Sequence, residues 1–247
     1  AREHLPDVPV TTRRAGDCTV GGGYLIRNGF DLTMLYPLTD FFEFHFESRK
    51  RNNIASKVIS SLRRALGGAG GSIRENYPGC TGEVFRQQPA RRITDHYFFD
   101  LAAEGRSYIS IWGAGCGYGW TQTSGWTDPR LGHTVLNYAA AAYPVLIDRL
   151  KKFERHLLDY PLVRPRIHIL ESNSSFYQNS RLRMDMTICA NLLLDNGYNF
   201  GFLWESLLLE RKQKLHDEDV IILPNAHCVP HALQSELLAW LKRGGTL

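Results

Sequence analysis

The sequence predicts an α/β protein built on parallel sheets, and three observations carry that prediction. Short apolar runs bounded by glycine, proline or charge alternate along the chain with longer segments of helical periodicity. No internal repeat or low-complexity linker interrupts the alternation. At 247 residues, 43% hydrophobic and 22% charged, the chain has the ordinary composition of a globular protein large enough for two cores.

Strands are expected at 8–13, 41–47, 72–75, 106–112, 166–170, 198–204 and 219–223, with another starting at 246. The helix expected at 52–66 carries Ile54, Val58, Ile59, Leu62 and Leu66 at helical spacing and ends at Gly67. Residues 89–104 open on Pro89 at a first-turn position and close before Gly105. A long helical stretch at 133–158 runs into two prolines in "DYPLVRP" (159–165), which places a boundary between units 1–160 and 161–247. In the second unit, helix 181–196 presents Leu182, Met186, Cys189, Ala190 and Leu193 before Gly197. Helix 231–243 presents Leu233, Leu237, Trp240 and Leu241, with Lys242 and Arg243 in its last turn.

Strand and helix spacings in 1–160 suit the second half of a (β/α)8 barrel, which as a whole takes about 250 residues. Residues 161–247 read as an open doubly wound sheet. The chain opens without Met at a strand-like "VPVTT" and stops at "LKRGGTL", so both ends are expected to cut through folded structure.

Barrel chemistry is carried where strands end and loops begin. Glu75 holds that position in "GGSIRENYPG"; the bland alternative is an ion pair with Arg74. In "DFFEFHFES", Phe42, Phe44 and Phe46 alternate with Glu43, His45 and Glu47, which puts the polar set on the opposite face. His45 is balanced between a site residue and a satisfied core histidine. Trp112, Trp120 and Trp126, three of the five tryptophans, fall within fifteen residues at one expected barrel mouth. They either pack beneath a long loop or offer faces on which sugar rings stack.

Other chemistries find little support. The net charge of +4 is mild and the basic pairs are scattered, which argues against a nucleic-acid surface. Five cysteines form no CxxC pair, so no zinc site or disulfide framework is indicated. No apolar run is long enough to span a membrane. "GGAGG" (67–71) precedes a strand instead of following one, and "GAGCGYG" lacks the spacing of a phosphate loop. Cys228 lacks the flanking glycines of a nucleophile elbow.

"SIRENYPG" and the later "YFFDLAAEGRSYISIWGAG" resemble the seventh and eighth strands of the family 42 glycoside hydrolases, β-galactosidases with a TIM-barrel catalytic domain. "HDEDVIILPNAHCVPHALQSELLAWLKRGGTL" resembles that family's trimerisation domain, a flavodoxin-like sheet of the class I glutamine-amidotransferase type. The resemblance implies a retaining hydrolase of terminal β-galactosides or related exo-sugars, with Glu75 as nucleophile. His45, Glu47, Trp112 and Trp120 would bind the sugar. It implies no cofactor or metal, a carbohydrate substrate and a homo-oligomer (a trimer in the family); the sequence leaves the location unknown, with the cytoplasm favoured. The family's acid/base glutamate would precede residue 1, so this stretch alone is expected to be inactive. An α-L-fucosidase-like relative and a non-catalytic carbohydrate-binding relative are the alternatives.

Overall fold

The structure is a computed structural model that describes residues 11–14, 32–39, 41–46, 49–67, 69–75, 108–112, 147–156, 163–179 and 181–247. Its architecture is α/β with two parallel sheets. The expected helix at 89–104 lies outside the described residues, and of the stretch 133–158 residues 147–156 are helical.

The first sheet holds β1 (Thr11–Arg14), β2 (Phe41–Phe46), β3 (Ala69–Glu75) and β4 (Tyr108–Trp112). Its order is β1-β2-β3-β4, so each strand lies beside its predecessor, and every pair is parallel. A short helix α1 (Leu32–Leu35) and one 3-10 turn (Tyr36–Leu38) precede β2. Helix α2 (Arg49–Leu66) is the crossover from β2 to β3. It stops where expected: Gly67 has φ +75° and its N–H bonds the Arg63 carbonyl at 2.8 Å, a left-handed cap that only glycine enters without strain.

The second sheet has the order β6-β5-β7, with β5 (Ile167–Glu171) between β6 (Phe200–Trp204) and β7 (Val220–Ile222), all parallel. Helices α3 (Asn173–Gln178) and α4 (Leu182–Asp195) connect β5 to β6. Helix α5 (Glu205–Leu209) follows β6, and α6 (His231–Lys242) follows β7. Every residue of β6 is buried, the mark of a parallel strand covered on both faces. The strand expected from 246 is present as a parallel bridge between Thr246 and Val220.

Two cores cover this sheet. On one side Leu170, Leu203 and Ile221 meet Leu233, Leu237 and Trp240 of α6. Trp240 is fully buried and its indole N–H donates to the His216 carbonyl at 2.8 Å. On the other side Ile169, Phe200, Phe202 and Trp204 meet Met186 and Ala190 of α4, and also Ile54, Val58, Ile59 and Leu62 of α2. The apolar stripe of α2 therefore packs in one cluster with the second sheet, across the expected boundary near residue 160.

Polar bonds fix this seam. Phe202 N–H donates to Ser61 Oγ at 2.9 Å. Gln213 closes the same edge of β6: its Nε2 donates to the Phe202 carbonyl at 3.1 Å, and its Oε1 accepts the Trp204 N–H at 2.9 Å. An edge strand exposes alternate backbone groups, and here Ser61 and Gln213 occupy them. Lys57 Nζ donates to Asn199 Oδ1 at 2.9 Å, and Thr33 Oγ1 lies 3.0 Å from Ser206 Oγ.

The approach is close enough to require glycine. A Cβ on Gly201 would stand 2.9 Å from both Ser61 Oγ and Pro165 Cγ. Gly201→Ala should therefore force α2 outward and destabilise the fold by about 1–3 kcal/mol. Ser61→Ala should cost a similar amount, roughly 1–3 kcal/mol, by leaving the buried Phe202 N–H without an acceptor. Urea midpoints of the two variants test this, and wild-type values for both would show that α2 does not seat on β6 this way.

Candidate functional site

The backbone brings three of the sequence-derived candidates together. Glu75 and Trp112 are the last residues of β3 and β4 and are register partners, side by side at the carboxyl ends of adjacent parallel strands. His45, next to last in β2, is the register partner of Ile73, two positions before Glu75. Partners in a parallel ladder share a face, and positions two apart along a strand share it too. Glu43, His45, Glu75 and Trp112 thus hold positions on one face of the sheet, with His45, Glu75 and Trp112 at one end. Glu47 and Trp120 lie outside the described residues.

Sequence produces this placement locally. β3 ends in Arg74-Glu75 before "NYPG", and β4 ends at Trp112 before "GAGCGYG". Proline and glycine after β3, and glycine after β4, are residues that disfavour continuing a strand past Glu75 and Trp112.

The second sheet carries two polar clusters that sequence reasoning missed. At the carboxyl ends of β5 and β6, both oxygens of the buried Glu205 accept bonds from serines. Ser172 Oγ donates to Oε2 at 2.6 Å, and Ser174 gives Oε1 its hydroxyl at 2.5 Å and its N–H at 3.3 Å. Ser172 caps α3 by accepting the Ser175 N–H at 3.2 Å, and Ser175 Oγ accepts the Cys228 N–H at 2.9 Å. This network ties the 228 loop to the sheet, and Cys228 itself is exposed and unbridged. The "SNSS" run after a strand was the available signal for the cap; its carboxylate partner, 33 residues away from Ser172, was not readable.

Near the start of β5, the fully buried Asp219 carboxylate receives the Arg164 guanidinium and the His216 N–H, the latter at 3.2 Å. His168 Nε2 lies 3.7 Å from the same carboxylate oxygen. Burial lowers the His168 pKa to about 4; Asp219 opposes that fall, and the Arg164 and Arg64 guanidiniums add to it. Among the described residues no group of His, Cys, Asp and Glu is placed to hold a metal ion, and no helix is long and apolar enough to cross a membrane.

Comparison of the chain with protein-family models, with curated proteins and with solved structures gives no match.

The depressed His168 pKa has a sign. Unfolded, the ring takes up a proton as pH falls through 6.5; folded, it stays neutral until about 4. Stability should therefore drop as pH falls across that window, because the unfolded chain binds the extra proton. His168→Gln should show a shallower fall in urea midpoint over the same range. Equal slopes in the two proteins would mean that His168 titrates normally in the fold.

Proposed function

We propose that this chain carries the nucleophile half of a retaining glycoside hydrolase of the family 42 type, with Glu75 as nucleophile. The observation that carries the reading is the register pairing of Glu75 with Trp112 at the carboxyl ends of two parallel strands. Sequential neighbours β1-β2-β3-β4 are the order that a (β/α)8 barrel requires, which supports these strands as the barrel's fifth to eighth. The order β6-β5-β7, reversing about β5, supports a doubly wound second unit of the amidotransferase-like type. Oligomerisation, as a trimer by resemblance, is that unit's proposed task, in keeping with a carboxyl-end crevice filled by the Ser172–Glu205 network.

The reaction needs a nucleophile and an acid about 5–5.5 Å apart. Glu75 attacks the anomeric carbon while an acid/base carboxyl, on a strand upstream of residue 1 by resemblance, protonates the departing glycosidic oxygen. Water, deprotonated by the same carboxyl acting as base, then cleaves the glycosyl ester and frees Glu75. Trp112 offers the apolar face on which the sugar stacks, and His45 bonds a sugar hydroxyl or orients Glu75. Terminal β-galactosides are the proposed substrates.

In a polypeptide long enough to include the acid/base strand, Glu75→Gln should lower kcat on an aryl β-galactoside by roughly 10⁴-fold or more while leaving the melting transition in place. A 2-fluoro sugar should label Glu75 covalently. Label on another residue, or near wild-type turnover in the variant, refutes the assignment, and sugar binding without turnover in the wild type favours a non-catalytic relative. Trp112→Ala should raise KM with little loss of stability. Unchanged kinetics with a lowered melting temperature would make Trp112 a packing residue.

A further inference from the structure

A second site of different chemistry lies where α2 meets the second sheet, and it does not depend on the sugar-hydrolase reading. A cavity of about 370 Å³ opens between α2, the approach to β5, β6 and the segment after α5. Cations dominate its wall: Arg64, Arg164, Lys212 and Lys214, together with His168 and His216. No aspartate or glutamate is among its described lining residues. Carboxylates reach two of the cations from outside the wall, Asp219 and Glu218 at Arg164 and Glu210 at Lys212. Lys214 has no ion-pair or hydrogen-bond partner among the described residues.

Arg164 and Lys212 already meet carboxylates, and Arg64 donates to Ser60 and Ser61 Oγ at 3.4 and 3.3 Å, so Lys214 is the cation whose charge an anion in the concavity would meet. His168 is the independent sign of a missing partner. It lines the cavity, is only 6% exposed, and neither ring nitrogen makes a well-formed hydrogen bond: the Pro165 backbone meets the ring in poor geometry, and the Asp219 carboxylate stands 3.7 Å from Nε2. A buried imidazole left in this way is costly, and a ligand oxygen in the cavity would relieve it. The wall also includes Phe202 and Leu203. The volume falls within the range of small-molecule pockets, about 300–1,000 Å³, and exceeds what a bare phosphate fills.

We propose that this cavity binds a small organic phosphate, with the phosphoryl group held by Arg64, Lys214 and His168 and the organic part against Phe202 and Leu203. Guanidinium and ammonium groups suit phosphoryl oxygens even where, as at Arg64 and Lys214, the side chains are exposed at the cavity rim, and a neutral His168 supplies one N–H donor. The pocket borders the Ser61–Phe202 contact, since Ser61 and Phe202 both line it. Occupancy would therefore tighten the seam between α2 and β6.

Calorimetry and ³¹P NMR on the whole chain, with glucose 6-phosphate, inorganic phosphate and methyl glucoside as probes, test the assignment. Glucose 6-phosphate should bind, inorganic phosphate more weakly, and methyl glucoside not at all. Lys214→Gln should weaken the phosphoester by about tenfold with the melting transition unchanged in the free protein, and Lys214→Arg should restore most of the affinity. Arg64→Gln and His168→Gln should weaken it further. No binding of either phosphate in the low-millimolar range overturns the proposal, as does affinity equal in the wild type and Lys214→Gln. Inorganic phosphate binding as tightly as the ester would overturn the organic part.

Discussion

The contact of α2 with β6 is the constraint on which the rest of this structure depends. Helix α2 belongs by connectivity to the first sheet, as the crossover from β2 to β3, yet its buried stripe packs against the second. One hydroxyl, Ser61, sits where the helix touches the strand and accepts the Phe202 N–H. One missing side chain, at Gly201, makes room for it. Without this seam β6 would be an open edge, and Ile54, Val58, Ile59 and Leu62 of α2 would lose the apolar surface of the second sheet that they pack on.

The consequence for function runs through connectivity. Helix α2 leaves the carboxyl end of β2, one residue past His45, and returns to the start of β3 at Ala69, so the seam bears on the strands that carry His45 and Glu75 through their shared crossover. Catalytic groups gain from rigid support because small misplacements are expensive in rate. The cationic cavity shares Ser61 and Phe202 with the seam, so an anion bound there would act on the same support.

Much of this was legible in the sequence. The strands ending at Glu75 and Trp112 could be read because apolar runs stop at glycine or proline, and the α2 stripe from Ile54 to Leu62 followed from helical spacing. Other features were hidden for identifiable reasons. β3 begins at Ala69, three residues earlier than expected, because Gly70 and Gly71 have little strand preference of their own and are held by pairing with β2. Helix α5 was missed because "FGFLWESLLLE" runs on without a breaker between strand and helix. The Ser61–Phe202 bond, the Gln213 edge cover and the Arg164–Asp219 pair are tertiary facts: their partners lie 141, 11 and 55 residues apart, and no local pattern encodes them.

If α2 and the second sheet are one cooperative body, they must open together. Native-state amide hydrogen exchange, read by mass spectrometry on peptides covering residues 54–66 and 200–204, measures this directly. The structure requires one shared opening free energy for both segments, lowered equally in each by Ser61→Ala. Exchange of α2 at a much lower free energy than β6, with the variant affecting only one of them, would contradict the account.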